Sequence, residues 1–270
     1  MNVRKIPTKA SLLGGFRREG GNQPVMCGRF TLRAPASLVA EQFALFDAPP
    51  FEPRYNIAPT QPVVVVRQAG LSAVQRRLTS PAPGEGPGVR AGPVASPREL
   101  VWLRWGLIPS WAQDPAIGNR LINARAETAA EKPAFRAAMR RRRCLVVADG
   151  FYEWQRTGGR KQPYFIHMRD DRPFAFACLW ESWEGADHSA LETCVILTTD
   201  PNDLMRRIHD RMPVIVSPND YARWLDPAIE KPEQVADLLR PYATDELIAY
   251  PVSPHVNSPA HDDPGCIEPA

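Results

Sequence analysis

No stretch of this 270-residue chain approaches the eighteen or so consecutive apolar residues that a membrane-spanning helix requires. Nor do its first residues hold an apolar segment of secretory length. Cysteine is scarce: Cys27, Cys144, Cys178, Cys194 and Cys266 are the whole set. Their number is odd and no C-x-x-C occurs, which argues against a disulfide framework and against a zinc site. Three of the five sit in apolar runs, so the expectation is buried, reduced thiols in a cytoplasmic protein with no metal and no cofactor. There is no internal repeat and no regular alternation of strand and helix.

A strong charge of one sign is also missing. The formal net charge is +3, but residues 1–26 contribute +4 through Arg4, Lys5, Lys9, Arg17 and Arg18 against Glu19, leaving −1 for the rest. Overall charge therefore gives no case for nucleic-acid binding, which needs a local basic patch. The densest one is Arg140–Arg143, and cations at a helix C-terminus are favourable on their own account.

What is present is proline, 29 residues of it, with 44% hydrophobic and 23% charged residues. That is a globular composition with too many turn formers for a helical bundle. Short apolar or alternating runs predict strands at 63–67, 71–78, 101–105, 144–148, 151–156, 163–168, 174–183, 193–198, 214–216 and 247–252. Asp149-Gly150 reads as a tight turn between two of them. Helices are expected at 36–46, with Val39, Phe43 and Phe46 inward, and at 132–142, with Pro133 in the first turn. Shorter ones follow Asp200 as an N-cap, open at Ser217-Pro218 and run over 232–240. The sum is an α+β fold: one domain over 27–265 with a twisted antiparallel, barrel-like β core and interspersed helices. Residues 80–98 read as a Pro/Gly-rich loop insertion, and 1–26 as a disordered extension or a mis-assigned start.

The chemistry centres on Met26-Cys27-Gly28-Arg29-Phe30. Were Met26 the initiator and then trimmed, Cys27 would carry an α-amine beside its thiol. An α-amine has a pKa of roughly 7.7–8.0, so a sizeable fraction is unprotonated at neutral pH. Such an amine condenses with an aldehyde to a Schiff base, and the thiol can close onto the imine carbon as a thiazolidine. An internal Cys cannot do this, and the pentapeptide alone fits a small buried thiol equally well. Alternation over 151–156 places Tyr152 and Trp154 on one face and Phe151, Glu153 and Gln155 on the other. Glu153 is then either a surface carboxylate or an acid/base group tuned by apolar neighbours. Trp105 and Trp111 fit core packing or an exposed apolar face.

Seven segments taken together resemble the SOS-response-associated peptidase (SRAP) family, whose members crosslink to abasic sites in single-stranded DNA. They are residues 26–30 (MCGRF), 54–60 (RYNIAPT), 105–109 (WGLIP), 123–128 (NARAET), 148–154 (ADGFYEW), 209–213 (HDRMP) and 251–253 (PVS). In that family the Cys follows the initiator Met, a pattern from which the extension here departs. The resemblance implies Cys27 as nucleophile, Glu153 orienting or deprotonating its amine, and His209 protonating the deoxyribose oxygen. It implies Asn123 and Arg125 beside the lesion and Arg29 on phosphate. Asn56 would line the same pocket and hold the N-terminal loop. Pro59, Trp105 and Trp111 would offer apolar faces to flanking bases. Weak lyase activity, a monomer and a single-stranded DNA partner follow. The family's older reading is a cysteine peptidase that removes its own N-terminal residues. A non-catalytic nucleic-acid binder using the Arg clusters is the third reading.

Overall fold

Residues 63–66, 144–148 and 194–197 are apolar without interruption and wholly buried. A strand can be so only where both faces are covered. The computed structural model describes residues 28–45, 48–70 and 98–270. The extension 1–26, Cys27, Phe46, the expected strand 71–78 and the 80–98 loop up to residue 97 lie outside the described residues. In chain order the strands are β1 (Arg29–Leu32), β2 (Arg54–Ile57), β3 (Pro62–Gln68), β4 (Arg98–Trp105), β5 (Asn123–Arg125), β6 (Arg143–Ala148), β7 (Gly150–Thr157), β8 (Arg160–Met168), β9 (Phe174–Glu184), β10 (Ala190–Thr199), β11 (Met212–Pro213), β12 (Ile215–Val216) and β13 (Leu247–Pro251).

Five of them close on themselves. β3 pairs antiparallel with β4 and β6, β6 with β9, and β9 with β10, while β10 returns to β4 in parallel through Thr193↔Arg104 and Cys194↔Trp105. Closure removes the sheet edges and lets the interior fill with side chains. β5 also joins β10 in parallel, through Ile196↔Asn123 and Thr198↔Arg125. The fold is the expected α+β arrangement, and these two parallel ladders are an addition to the antiparallel core.

A second, wholly antiparallel sheet runs β13-β8-β7-β1-β2. The alternation of β7 explains how it is used. Phe151 joins the main core, edge-on to Phe174 and Phe176, while Tyr152 packs with Phe165, Val252, Val256 and Cys266 in a second cluster on the opposite face. The sheet is thus covered by the barrel on one side and by the C-terminal segment on the other.

Asp149-Gly150 corrects the hairpin expectation. The strands on either side enter different sheets and do not pair with each other. Asp149 instead accepts hydrogen bonds from Thr31 Oγ1 (2.6 Å), Ala34 N (2.7 Å), Arg33 Nε (3.1 Å) and Arg33 N, fixing the exit of β1. Gly150 is needed because a Cβ there would stand 2.2 Å from the Phe165 ring.

The helices are shorter than expected: Ala36–Gln42, Ala126–Ala129, Arg136–Arg141 and Tyr221–Leu225 are α-helical. Of the basic run, Arg143 is buried and donates to the carbonyls of Met139, Arg140, Trp224 and Asp226. Arg142 pairs with Glu181 at 2.6 Å. Only Arg140 and Arg141 of the four are exposed, so half of the run is structural. Among the described residues no helix is long and apolar enough to cross a membrane.

Candidate active site

β6 ends at Ala148 opposite Phe174, and β10 ends at Thr199 beside Met212. The chain therefore leaves both strands at the same end of the barrel, one way into β7 and the other into residues 200–211. Gln155 ties the two together, its Nε2 donating to the Arg207 carbonyl at 2.7 Å. A cleft of about 840 Å³ opens between them, lined by Trp154, Gln155, Arg156, Asp200, Arg207 and His209 among others.

His209 is only 10% exposed at its side chain. Burial holds its pKa below the ordinary imidazole value, outweighing the opposing pull of Asp210. The ring is therefore neutral at pH 7. Its Nδ1 lies 3.2 Å from the Arg211 backbone N–H and 2.9 Å from Asp210 Oδ1. The amide can only donate, so in the neutral ring Nδ1 accepts and the proton sits on Nε2. Protonation would turn Nδ1 into a donor toward Asp210.

Arg211 holds that loop in place. Its guanidinium makes a bidentate pair with Glu127 (2.6 and 2.7 Å), meets Asp200 at 2.9 Å and donates to the Thr198 carbonyl at 2.7 Å. Asp200 therefore serves Arg211 and is not the expected N-cap. Asn202 instead braces the turn from outside, its Oδ1 accepting from Met205 N at 2.9 Å, while Leu204 stands at the cap itself. Because Glu127 lies two residues past the end of β5, Arg211 also ties His209 to the strand that carries Asn123 and Arg125 on one face, with Ala124 buried between them.

Arg29 lies opposite Tyr152 across β1 and β7. It is half-buried, and its acceptors are neutral: Asn56 Oδ1 and Val256 O at 2.9 Å, and Asn257 O at 3.3 Å. A guanidinium held by neutral groups keeps its whole charge for an anion, although desolvation lowers its pKa. Asn56 departs from expectation. It is fully buried, with Nδ2 donating to the carbonyls of Val256 (3.1 Å), Ser258 (3.0 Å) and His261 (2.7 Å). It clamps the C-terminal turn under Arg29 and has no surface to offer a ligand. Trp154 Nε1 donates to Asn257 Oδ1 at 2.7 Å, so the turn is tied to β7 as well.

Glu153 is 1% exposed, one step along β7 from Tyr152 and opposite Tyr164. Trp105 is the clear correction among the apolar residues. Its ring is 0% exposed, edge-on to Phe30, and its Nε1 donates to Ile122 O at 2.9 Å. It is a core residue that anchors the entry to β5, and no base can reach it. Trp111, in contrast, is 61% exposed. Pro59 is half-exposed in the turn before β3, beside Thr60, whose N–H bonds the Trp105 carbonyl at 2.8 Å. Cys27 lies outside the described residues.

Arg211, Glu127, Asp149 and Asp262 escaped the sequence reading. Asp262 accepts from the backbone N–H groups of Tyr55 (2.5 Å) and Asn56 (2.8 Å). The partners that matter lie far off along the chain, so local pattern carries no trace of them; that three of the four stand inside the quoted segments was the usable signal.

With this geometry in hand, comparison with known proteins is decisive. A family model described as SOS response associated peptidase (SRAP) matches residues 26–259. This chain belongs to that family. It is 41% identical over 247 residues to abasic site processing protein YoqW of Bacillus subtilis (strain 168), covering 90% of this chain and 99% of that protein. It is 34% identical over 199 residues to abasic site processing protein HMCES of Gallus gallus, covering 65% of this chain and 59% of that protein. A crystal structure of a protein from Bacteroides thetaiotaomicron superposes with a TM-score of 0.73 at 26% identity, covering 90% of this chain and 100% of that one. The SRAP fold is thus the frame on which the cleft, Arg29 and the β5 face are mounted.

Proposed function

We propose that this SRAP protein captures abasic sites in single-stranded DNA covalently, using Cys27 as its first residue. Relatives described as abasic site processing proteins support the reading. The observation that carries it is the β1–β7 register. Arg29 stands opposite Tyr152, next to buried Glu153, and β7 runs on to the wall it shares with His209. In the chain, Cys27 stands two residues before Arg29, the first residue of β1.

An abasic sugar opens to an aldehyde. The Cys27 amine adds to its carbon, water leaves, and the thiol adds across the resulting C=N bond to close a thiazolidine. Glu153 accepts the proton that the ammonium must lose. His209 first takes up a proton, its Nδ1 then donating to Asp210. As imidazolium it gives the Nε2 proton to the ring oxygen of the deoxyribose while the C1 hydroxyl loses its own proton to solvent, the ring opens and His209 returns to the neutral form. Arg29 holds phosphate, Asn123 and Arg125 hold the sugar and the adjoining phosphate, and Pro59 and Trp111 bear on flanking bases. Without the thiol, the same imine permits β-elimination, giving a weak lyase. A free amine requires that the chain start at Met26 and lose it, or be cut after it. The family match opens at residue 26, which favours a second activity: hydrolysis of the bond before Cys27 by the same Cys27, Glu153 and His209. The protein acts as a monomer in the cytoplasm.

The test is a denaturing gel of the Met26-start protein mixed with single-stranded DNA containing one abasic site. A shifted band that survives denaturation is expected from the native sequence and absent from Cys27→Ala. Full crosslinking by Cys27→Ala would overturn the assignment.

A further inference from the structure

Two 3₁₀ turns meet behind Arg29, Pro254–Asn257 and Pro264–Cys266. A 3₁₀ helix repeats every three residues, so positions i and i+3 lie one above the other. Asp263, at the cap of the second turn, and Cys266, at its end, therefore face the same way, and the Cys266 N–H bonds the Asp263 carbonyl at 3.0 Å. The first turn presents His255 to them, Nε2 at 3.0 Å from Asp263 Oδ2. One donor atom from each of His255, Asp263 and Cys266 lies within 4.8 Å of the other two.

The arrangement is supported from behind. The His261 ring stacks on His255 with centroids 3.8 Å apart and planes 6° from parallel, and its Nδ1 bonds the His255 carbonyl at 2.7 Å. That fixes the plane of the His255 ring, as outer partners of metal-bound histidines do. Asp263 is also held at its turn by Gly265 N, 2.9 Å from Oδ1. Cys266 is buried, half-buried His255 borders it, and Asp263 is exposed, so the cluster has a fixed soft donor at its base and a carboxylate at its mouth.

We propose that His255, Asp263 and Cys266 form a divalent-metal site, selective for zinc and its chemical mimics. A thiolate, an imidazole nitrogen and one carboxylate oxygen suit a borderline-soft ion, and three protein ligands leave a fourth, tetrahedral position for water. Ligand atoms of a tetrahedral zinc site stand about 3.3–3.6 Å apart, given bonds of roughly 2.0–2.3 Å. Rotation of the exposed Asp263 side chain toward the fixed His255 ring and the buried Cys266 thiol, with a small shift of its turn, closes the cluster to that size. Binding breaks the Cys266 S–H bond, releases its proton to solvent and forms the metal–sulfur bond; His255 binds as the neutral ring and Asp263 as the carboxylate. The proposal departs from the expectation, drawn from the missing C-x-x-C, that the chain holds no metal. It would brace the turn whose Val256 and Asn257 carbonyls hold Arg29.

The probe is Co²⁺ added to the metal-free, full-length protein, read by the thiolate-to-cobalt charge-transfer absorption. One equivalent should bind and give that band. A free Cys27 can itself chelate metal, so Cys27→Ser is the essential control and should leave the band unchanged. His255→Gln and Asp263→Asn, which alter half-exposed and exposed residues, should each weaken binding about tenfold or more. Cys266→Ser should remove the band while far-ultraviolet circular dichroism shows the fold retained. A band lost in Cys27→Ser, a band indifferent to His255→Gln and Asp263→Asn, or no band at saturating Co²⁺ would each overturn the proposal.

Discussion

Replacing Arg211 with Met tests how the His209 loop is held. The side chain is 13% exposed and serves three acceptors of very different worth. Its bond to the Thr198 carbonyl is a charged donor on an acceptor of a buried residue, worth about 1.5–3 kcal/mol. The bidentate pair with Glu127 has good geometry, but Glu127 is 47% exposed, so solvent screening limits it to about 1 kcal/mol. Asp200, 78% exposed, adds essentially nothing. The expected cost is about 2–4 kcal/mol, or a fall in melting temperature of roughly 5–15 °C for a domain of this size. Urea unfolding monitored by tryptophan fluorescence measures it. Asp200→Asn should stay within about 0.5 kcal/mol of the parent protein. Arg211→Lys should recover less than half of the loss, since an ammonium cannot make the forked pair. A loss below about 1 kcal/mol for Arg211→Met would refute the argument that this residue braces the loop.

Three further outcomes follow from the same structure. Trp105→Ala should destabilise by about 3–5 kcal/mol, whereas Trp111→Ala should be near neutral in stability yet weaken single-stranded DNA binding by about 1–3 kcal/mol; equal DNA-binding losses from both would contradict their placement. Asn56→Ala takes one donor from each of three carbonyls, which keep Arg29, His261 N and Cys266 Sγ respectively, and leaves one Arg29 N–H without its acceptor, so calorimetry should show a loss of about 2–4 kcal/mol together with weaker phosphate binding at Arg29. His209 has a folded pKa below its unfolded value of about 6.5, so the unfolded chain binds more protons, and stability should fall as pH drops through 6.5. His209→Gln should flatten that slope, and an unchanged slope would show that another group carries it.

The barrel's strands could be read from composition because each is a short apolar run bounded by Gly, Pro or charge. Their closure could not. The β10–β4 and β10–β5 ladders join residues far apart in the chain, Thr193 to Arg104 and Ile196 to Asn123, and nothing local distinguishes a strand destined for a parallel partner. The face of Glu153 was legible, since a period of two leaves only one choice once Tyr152 and Trp154 are taken together. Trp105 was misread because an apolar ring beside a turn looks the same whether a base or Phe30 covers it. Asp149-Gly150 carries a hairpin signal, but that signal presumes two strands of one sheet, and here β6 and β7 part company. Asp200 and Asn202 are equally good caps by residue type, yet Arg211, far enough along the chain to escape any local pattern, takes up Asp200, and Asn202 braces the turn from outside.

The central claim is that the nitrogen of residue 27 is a free amine when the lesion is captured. Intact mass spectrometry of the Met26-start protein after reaction with an abasic oligonucleotide tests it most directly, with the 270-residue chain alongside. The account predicts an adduct equal to protein plus DNA minus one water, unaffected by borohydride, from the shorter chain alone. The same adduct on chains that still carry residues 1–26 would contradict it.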